Sequence, residues 1–510
     1  MLPAVLLAHA FQKAGGKKMK TTHFPQFQSY AKQGYGMVPI AVEMSADTET
    51  PITLYRRFRG YPNSFLLESV EGGEKWARYS FIGFDPFAIF SHKDGKGSLL
   101  CRNDETCSIG QDPIEALRLL LAQYRSPIIH GLPRLTGGAV GYFAYDAVRY
   151  IEKLPDSCQD LQQIPDCHLL FCDQLIAYDH FRQTIMVIVN ASTTGDLENS
   201  YQAATEKIAR LCQLIANPTA ENQEGTLEKV DFGTAKYSLS QPEFIEMVER
   251  AKQNIIDGDI FQVVLSRRVE QETNLDPFAA YRALRSINPS PYMYFFNFTD
   301  FQVVGASPEM LVRVDNVRRV ETCPIAGTRK RGSTPEEDTV LARELLEDEK
   351  EVAEHMMLVD LGRNDIGRVA VFGSVKVDHL KKIEKYSHVM HIVSNVSGIL
   401  DEGKDALDAL SAVFPAGTLT GAPKVRAMEL IDAYETLRRG IYGGAAGYIS
   451  FDGSMDFCII IRTFLFRDGV VSMQSGGGIV YDSVAEKEFE EAENKVKVLR
   501  QALIKAGDFK

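Results

Sequence analysis

The stretch from Gly447 to Leu503 limits the fold more than any other part of the chain. Asp452-Gly453 and Asp468-Gly469 are two-residue hairpin signals, because both residue types tolerate the backbone angles of a tight turn. They join three β-rich runs, Gly447 to Phe451, Met455 to Phe466 and Val470 to Gln474. The spacing predicts an antiparallel meander. A helix is predicted from about Val484 to Leu503, with Phe489, Ala492, Val496 and Leu499 as its apolar stripe. Elsewhere strand-like and helix-like patterns mix without strict βαβ alternation, which predicts an α+β fold rather than a doubly wound sheet.

The chain has 510 residues, enough for three ordinary domains or two large ones. A hydrophobic share of 45% and a charged share of 24% are those of a globular protein. The 56 Lys and Arg against 68 Asp and Glu give a charge of −12, which argues against a non-specific nucleic-acid or anionic-membrane binder. The eight cysteines form no CxxC pair, so a zinc knuckle or dithiol motif has no support, and a reduced, cytoplasmic protein is expected. No uncharged apolar run approaches the ~18 residues of a membrane span. Met1 to Ala10 is apolar but lacks the preceding positive charge of a secretory signal. Residues 1–18 are therefore expected to be a disordered extension, or the product of an upstream start with Met19 as the natural beginning. A polar run at 217–236 predicts a linker between an N-terminal part (19–216) and a C-terminal part (237–510).

Several residues point to chemistry. Glu488, Glu491 and Lys495 share one face of the last helix at i, i+3 and i+7. On spacing alone this is an ordinary charged flank. A second pair, Glu351 and Glu354, opens a helix that is apolar nearly all round from Val352 onward and is expected to be buried. Buried carboxylates are costly unless paired or metal-bound. Two such pairs suggest a hard divalent cation such as Mg²⁺; salt bridges to Lys or Arg from elsewhere are the alternative. Arg462 stands in a run, Phe457 to Phe466, that reads as an apolar central strand, and its guanidinium needs a carboxylate from the protein or from a ligand. Gly476, Gly477 and Gly478 allow close backbone approach or a bend. The loop Pro415 to Lys424 lacks the glycine spacing of a phosphate loop, and Val425 follows its lysine, so nucleotide binding has no support.

Ordered motifs resemble the chorismate-utilising enzymes, in their anthranilate synthase large-subunit branch. They are Leu66-Leu67-Glu68-Ser69, Asn288-Pro289-Ser290-Pro291-Tyr292-Met293, Gly305-Ala306-Ser307-Pro308-Glu309 and Pro324-Ile325-Ala326-Gly327-Thr328. Asp360-Leu361-Gly362-Arg363-Asn364-Asp365, His388-Val389-Met390-His391, the Gly417-Thr418 loop, Ile461-Arg462-Thr463 and the Glu488/Glu491/Asn494-Lys495 helix follow. Together they span nearly all of residues 24–505.

The resemblance implies a large two-sheet antiparallel β core flanked by helices, with the active site between the sheets. It implies Mg²⁺ on Glu354 and Glu491, with Glu351 and Glu488 in support through water. Arg462, Tyr442, Thr418, Lys495 and the Gly476–Gly478 backbone would hold substrate carboxylates; Glu309 would be the general acid and His391 a catalytic histidine. Chorismate and ammonia would then give anthranilate and pyruvate, the first step of tryptophan biosynthesis. Water-using relatives carry a lysine base at the position of Gln262, and the aminodeoxychorismate synthase branch carries one at Ala326, so both positions point to anthranilate. The chain has no Gly-x-Cys-x-Gly elbow, which implies a separate glutamine amidotransferase subunit. Glu68, Ser69, Pro291, Tyr292 and Met293 match the family's pocket for tryptophan as feedback inhibitor. The rivals are an aminodeoxychorismate synthase component, opposed by Ala326, and a non-catalytic tryptophan-binding subunit, opposed by the intact Glu309, Glu354, Glu491 and Arg462.

Overall fold

The computed structural model describes residues 22–70, 78–217, 230–386 and 389–509. The expected 1–18 extension lies outside them, as does most of the expected linker. The strands that build the site, in chain order, are β1 (Ser64–Glu68), β2 (Gly138–Phe143), β3 (Gln262–Glu272), β4 (Tyr292–Asn297), β5 (Phe301–Ser307), β6 (Met310–Val314) and β7 (Arg319–Thr322). They continue with β8 (Ile325–Lys330), β9 (Val389–Ile399), β10 (Ala445–Ser450), β11 (Met455–Ile459), β12 (Thr463–Arg467) and β13 (Val470–Ile479). The helices are α1 (Pro277–Ile287), α2 (Glu349–Gly367), α3 (Gly417–Thr420), α4 (Lys424–Tyr434) and α5 (Ala485–Gly507).

Two sheets, each of twelve strands among the described residues, form the expected antiparallel β core of an α+β fold. One contains the run β1-β4-β5-β12-β13-β3, and the other β8-β9-β7-β6-β11-β10-β2. Beyond β1 and β2 each sheet continues through four more strands, all from residues before 193. Both sheets therefore join strands from either side of residues 217–236, through the β1–β4 and β2–β10 pairings.

Strand alternation sets the layers. Phe65, Tyr294, Phe296 and Leu465 of the first sheet meet Val140, Tyr142, Ala446 and Cys458 of the second in one core between the sheets. The next residues along the same strands face outward. Leu66 and Phe295 pack with Tyr281 and Leu284 of α1 and Val496 and Leu499 of α5. Phe457 and Ile459 pack on the far side with Val359 and Ile366 of α2.

The predicted meander is corrected at its centre. Met455 to Phe466 is not one strand: β11 belongs to the second sheet and β12 to the first, and Ile460 to Arg462 carry the chain across. Arg462 makes the bend at φ 51°. A run that is apolar on both faces gives no period from which to read such a crossing. The Asp468-Gly469 turn has positive φ at both residues, 50° and 74°, as a tight hairpin requires. The last helix matches its predicted stripe, with Ala492, Val496 and Leu499 buried. The expectation that α2 is buried all round is also corrected. His355, Leu358, Val359, Gly362 and Ile366 face the core, while Ala353, Asp360 and Arg363 are exposed and Glu354 is half-buried.

Candidate active site

A second crossing runs beside the first. The chain leaves the first sheet at Ser307 and enters the second at Met310, so Pro308 and Glu309 form the link. The two crossings are bonded to each other: Ile459 N donates to Glu309 O at 3.0 Å, and Ala306 N donates to Arg462 O at 3.3 Å. Glu309 and Arg462 thereby face one cavity of about 230 Å³. Ala326, His391, Thr418, Tyr442, Gly476, Gly477, Gly478 and Lys495 share its wall. The structure thus gathers two of the expected catalytic residues and all of the expected substrate-holding ones.

Glu309 is buried, and desolvation pushes its carboxyl from the ordinary 4.5 up to about 8. The Thr418 hydroxyl, which donates to its Oε1 at 3.2 Å, the Ile325 backbone and the Arg462 charge only partly oppose this. The group is a protonated acid at neutral pH. Arg462 has no carboxylate in ion-pair reach among the described residues; its Nη1 donates to Asn288 Oδ1 at 3.3 Å. Desolvation lowers its pKa, with Glu309 opposing. His391 is held below its usual pKa, first by desolvation. Its Nδ1 lies 2.9 Å from Gly327 O, which can only accept, so Nδ1 carries the proton and Nε2 keeps a lone pair.

Crowding by backbone requires Gly476, while Gly477 and Gly478 face side-chain ends. A Cβ on Gly476 would sit 2.2 Å from Leu265 O of β3, one on Gly478 would sit 2.5 Å from Gln262 Nε2, and one on Gly477 would sit 3.0 Å from Glu488 Oε2. Lys495 Nζ donates to Gly476 O at 2.8 Å and pairs with Glu491 at 2.8 Å.

Gln262 and the four glutamates stand beside this cavity rather than in its wall. Gln262 Nε2 donates to Glu354 Oε1 at 3.2 Å, and its Oε1 is buried without a hydrogen-bond partner. Desolvation raises the pKa of Glu354, and repulsion from Glu351 and Glu491 adds to it. Glu488 is raised in the same way, by desolvation and then Glu491. The two helices therefore bring the acidic pairs within each other's field. Glu351 is paired with Arg329 at 3.3 Å, so the salt-bridge alternative describes Glu351 and Glu491 as they stand. Among the described residues no three Asp, Glu, His or Cys side chains converge as a ready metal cage. Oxygen donors that repel one another, two of them with no ion pair among the described residues, suit a hard cation whose remaining ligands are water or substrate.

A separate cavity of about 350 Å³ lies between the sheets and shares no wall residue with the first. Glu68, Ser69, Pro291, Tyr292 and Met293 all border it. Ser69 Oγ is buried there with no partner. The Glu68 carboxylate turns the other way, to Tyr281 and Arg285 of α1. Tyr292 donates to Asp456 at 2.9 Å, and Arg313 pairs with the same carboxylate at 2.7 Å.

Asn288 and Thr328 stand inside the sequence motifs, and the structure adds them to the site. Asn288 orients Arg462, and Thr328 Oγ1 lies 3.1 Å from His391 Nδ1. A polar residue before Pro289 was the available signal for the first.

A protonated carboxylic acid, a guanidinium with no ion-pair partner among the described residues and a neutral imidazole on one cavity are groups suited to proton transfer and to holding an anion. The chain belongs to the chorismate binding enzyme family, whose family model matches residues 63–501. It is 51% identical over 480 residues to anthranilate synthase component 1 of Acetivibrio thermocellus, covering 93% of this chain and 97% of that protein. To its counterpart in Pseudomonas aeruginosa it is 44% identical over 486 residues, covering 94% and 98%. The crystal structure of anthranilate synthase component I from Streptococcus pneumoniae superposes with a TM-score of 0.76 at 38% identity, over 89% of this chain and 98% of that one. The menaquinone-specific isochorismate synthase of Escherichia coli shares the fold, with a TM-score of 0.69 at 18% identity, over 94% and 99%. No helix among the described residues is long and apolar enough to cross a membrane.

Proposed function

We propose that this enzyme converts chorismate and ammonia to anthranilate, pyruvate and water, the first step of tryptophan biosynthesis. The observation that carries the reading is Glu309, protonated up to about pH 8 on a cavity shared with Arg462. Ammonia adds at C2 of chorismate while the C4 hydroxyl leaves. Hydroxide is a poor leaving group, and Glu309 gives it the proton that makes it water. Arg462, Thr418, Tyr442, Lys495 and the Gly476–Gly478 backbone hold the two carboxylates. The lone pair on His391 Nε2 is the neutral acceptor for the C2 proton as pyruvate departs and the ring becomes aromatic.

Gln262 is a carboxamide and cannot take a proton from attacking water, whereas ammonia brings its own lone pair. Its unpartnered Oε1 is an acceptor that an N–H nucleophile can fill. Glu354 and Glu491 would hold Mg²⁺, with Glu351 and Glu488 supporting through water. The cation's contribution when bound is to neutralise a substrate carboxylate in a dry site. A separate glutamine amidotransferase supplies the ammonia, and tryptophan in the 350 Å³ cavity, against Ser69 and Met293, inhibits the reaction.

The test is the appearance of anthranilate fluorescence when the purified chain meets chorismate, Mg²⁺ and an ammonium salt, repeated with tryptophan present. Anthranilate forms, tryptophan suppresses it, and glutamine alone gives nothing. Isochorismate or salicylate as the main product, or glutamine use by the chain alone, refutes the reading.

A further inference from the structure

Behind the cavity floor lies a buried ion pair that no substrate atom can reach. Arg439 and Glu435 are four residues apart, just past α4, with side chains 1% and 5% exposed. Arg439 Nη2 and Nε donate to the Glu435 carboxylate at 2.6 and 2.9 Å. The rest of the guanidinium points at backbone: Nη1 donates to Leu419 O at 2.6 Å and Nη2 to Val264 O at 2.7 Å. Its flat face lies 4.7 Å from the Tyr145 ring centre and 5.7 Å from that of Tyr442. Glu435 Oε1 in turn accepts from Ser266 N and Oγ, both at 2.8 Å. Ser266 Oγ also accepts from Gln474 Nε2 at 2.8 Å.

The places these bonds reach are the places that hold substrate. Leu419 follows Thr418 in α3. Val264 and Ser266 of β3 pair in register with Gly478 and Gly476. Tyr442 is three residues beyond Arg439. We propose that Glu435 and Arg439 are positioning residues, a clamp that fixes α3, Tyr442 and the β3–β13 glycine floor relative to one another.

The inference rests on assigning the 230 Å³ cavity to chorismate. A buried ion pair is a poor source of stability, since desolvation offsets its attraction. Its distinctive property is the rigid fork of the guanidinium, which holds several acceptors at fixed separations as an ammonium cannot. The pair is also neutral overall, so it adds little field at the reacting atoms. Its loss should change where the substrate lies and leave the protonation of Glu309 alone. Displacing holding groups by about an ångström can cost on the order of a hundredfold in rate.

The experiment compares Arg439→Lys and Ser266→Ala with the wild type in ammonium-dependent turnover and in calorimetric binding of chorismate. Arg439→Lys keeps the charge and loses the fork; Ser266→Ala keeps the bulk and loses the link to Gln474. The expected result is a chorismate KM raised about tenfold or more, and a lowered kcat, in Arg439→Lys. A smaller shift in the same direction is expected in Ser266→Ala. The KM for ammonium and the pH profile stay as in the wild type. A folded Arg439→Lys with wild-type chorismate KM and kcat overturns the proposal. So does a loss confined to melting temperature, with unchanged kinetics per folded molecule. Where Arg439→Lys does not fold, Ser266→Ala decides by the same criteria. A wild type that binds chorismate but forms no anthranilate defeats the proposed reaction instead, and the clamp is then judged by chorismate affinity alone.

Discussion

Glu309 makes opposite demands on stability and on catalysis. The folded chain keeps its proton up to about pH 8, whereas an unfolded chain releases it near the ordinary 4.5. The contribution of Glu309 to stability therefore falls as pH rises between those two values and is flat beyond them. Glu309→Gln should remove that slope and stabilise the protein at neutral pH by on the order of a few kcal/mol, one pKa unit being worth about 1.4 kcal/mol. It should also lower ammonium-dependent turnover by about 10²–10⁴-fold, the scale of a lost general acid. Chemical denaturation of both proteins at pH 5 and pH 8, without substrate or metal, checks the first claim, and an identical pH slope would refute it. In the wild type, turnover should climb with pH as ammonium becomes ammonia, then bend downward near pH 8 as Glu309 ionises. At this scale the sequence was unevenly legible. Arg462 declared itself as a lone charge in an apolar run. Glu309 follows Pro308 in a link between strands, where no periodicity applies, and only the ordered family motifs pointed to it.

Among the elements that build the site, β13 carries three consecutive glycines with different surroundings. Gly476 and Gly477 are neighbours of the same type, yet their surroundings predict different outcomes. A methyl on Gly476 would strike Leu265 O, a backbone atom fixed by the β3 pairing. On Gly477 it would meet only the end of the Glu488 side chain, which can swing away. Gly476→Ala should cost about 1–3 kcal/mol, as overpacking does, and most of the activity. Gly477→Ala should melt near the wild type and lose less activity. Melting curves and turnover of the two variants decide it; equal behaviour would contradict the crowding argument. The glycine run was visible in the sequence, but the atom each glycine makes room for was not, since Leu265 and Glu488 come from distant parts of the chain. The β11–β12 break was hidden for a related reason. Hairpin turns are local chemistry, whereas the sheet a strand joins is decided by partners about 150 residues away, Met310 for β11 and Phe301 for β12.

The described residues form two sheets flanked by helices, and each sheet takes strands from both sides of residues 217–236. The 217–236 stretch was recognisable as polar, but composition could not show that the parts it joins share every layer. A protease site inserted in 217–236 should give two pieces that co-elute in gel filtration and keep turning over chorismate, because β1–β4 and β2–β10 hold them together. Pieces that separate without denaturant would refute this account. The same interleaving bears on how the protein is made. When β2 leaves the ribosome, β10, which will cover its edge, is still unmade, about 300 residues downstream. At roughly 5–20 residues per second, that edge waits on the order of 15 to 60 seconds for its partner. Until then it is a template for any extended strand nearby. Slowing translation after β2 should therefore lower the yield of folded enzyme in a foreign host, and supplying a chaperone that covers the unfinished sheet should restore it.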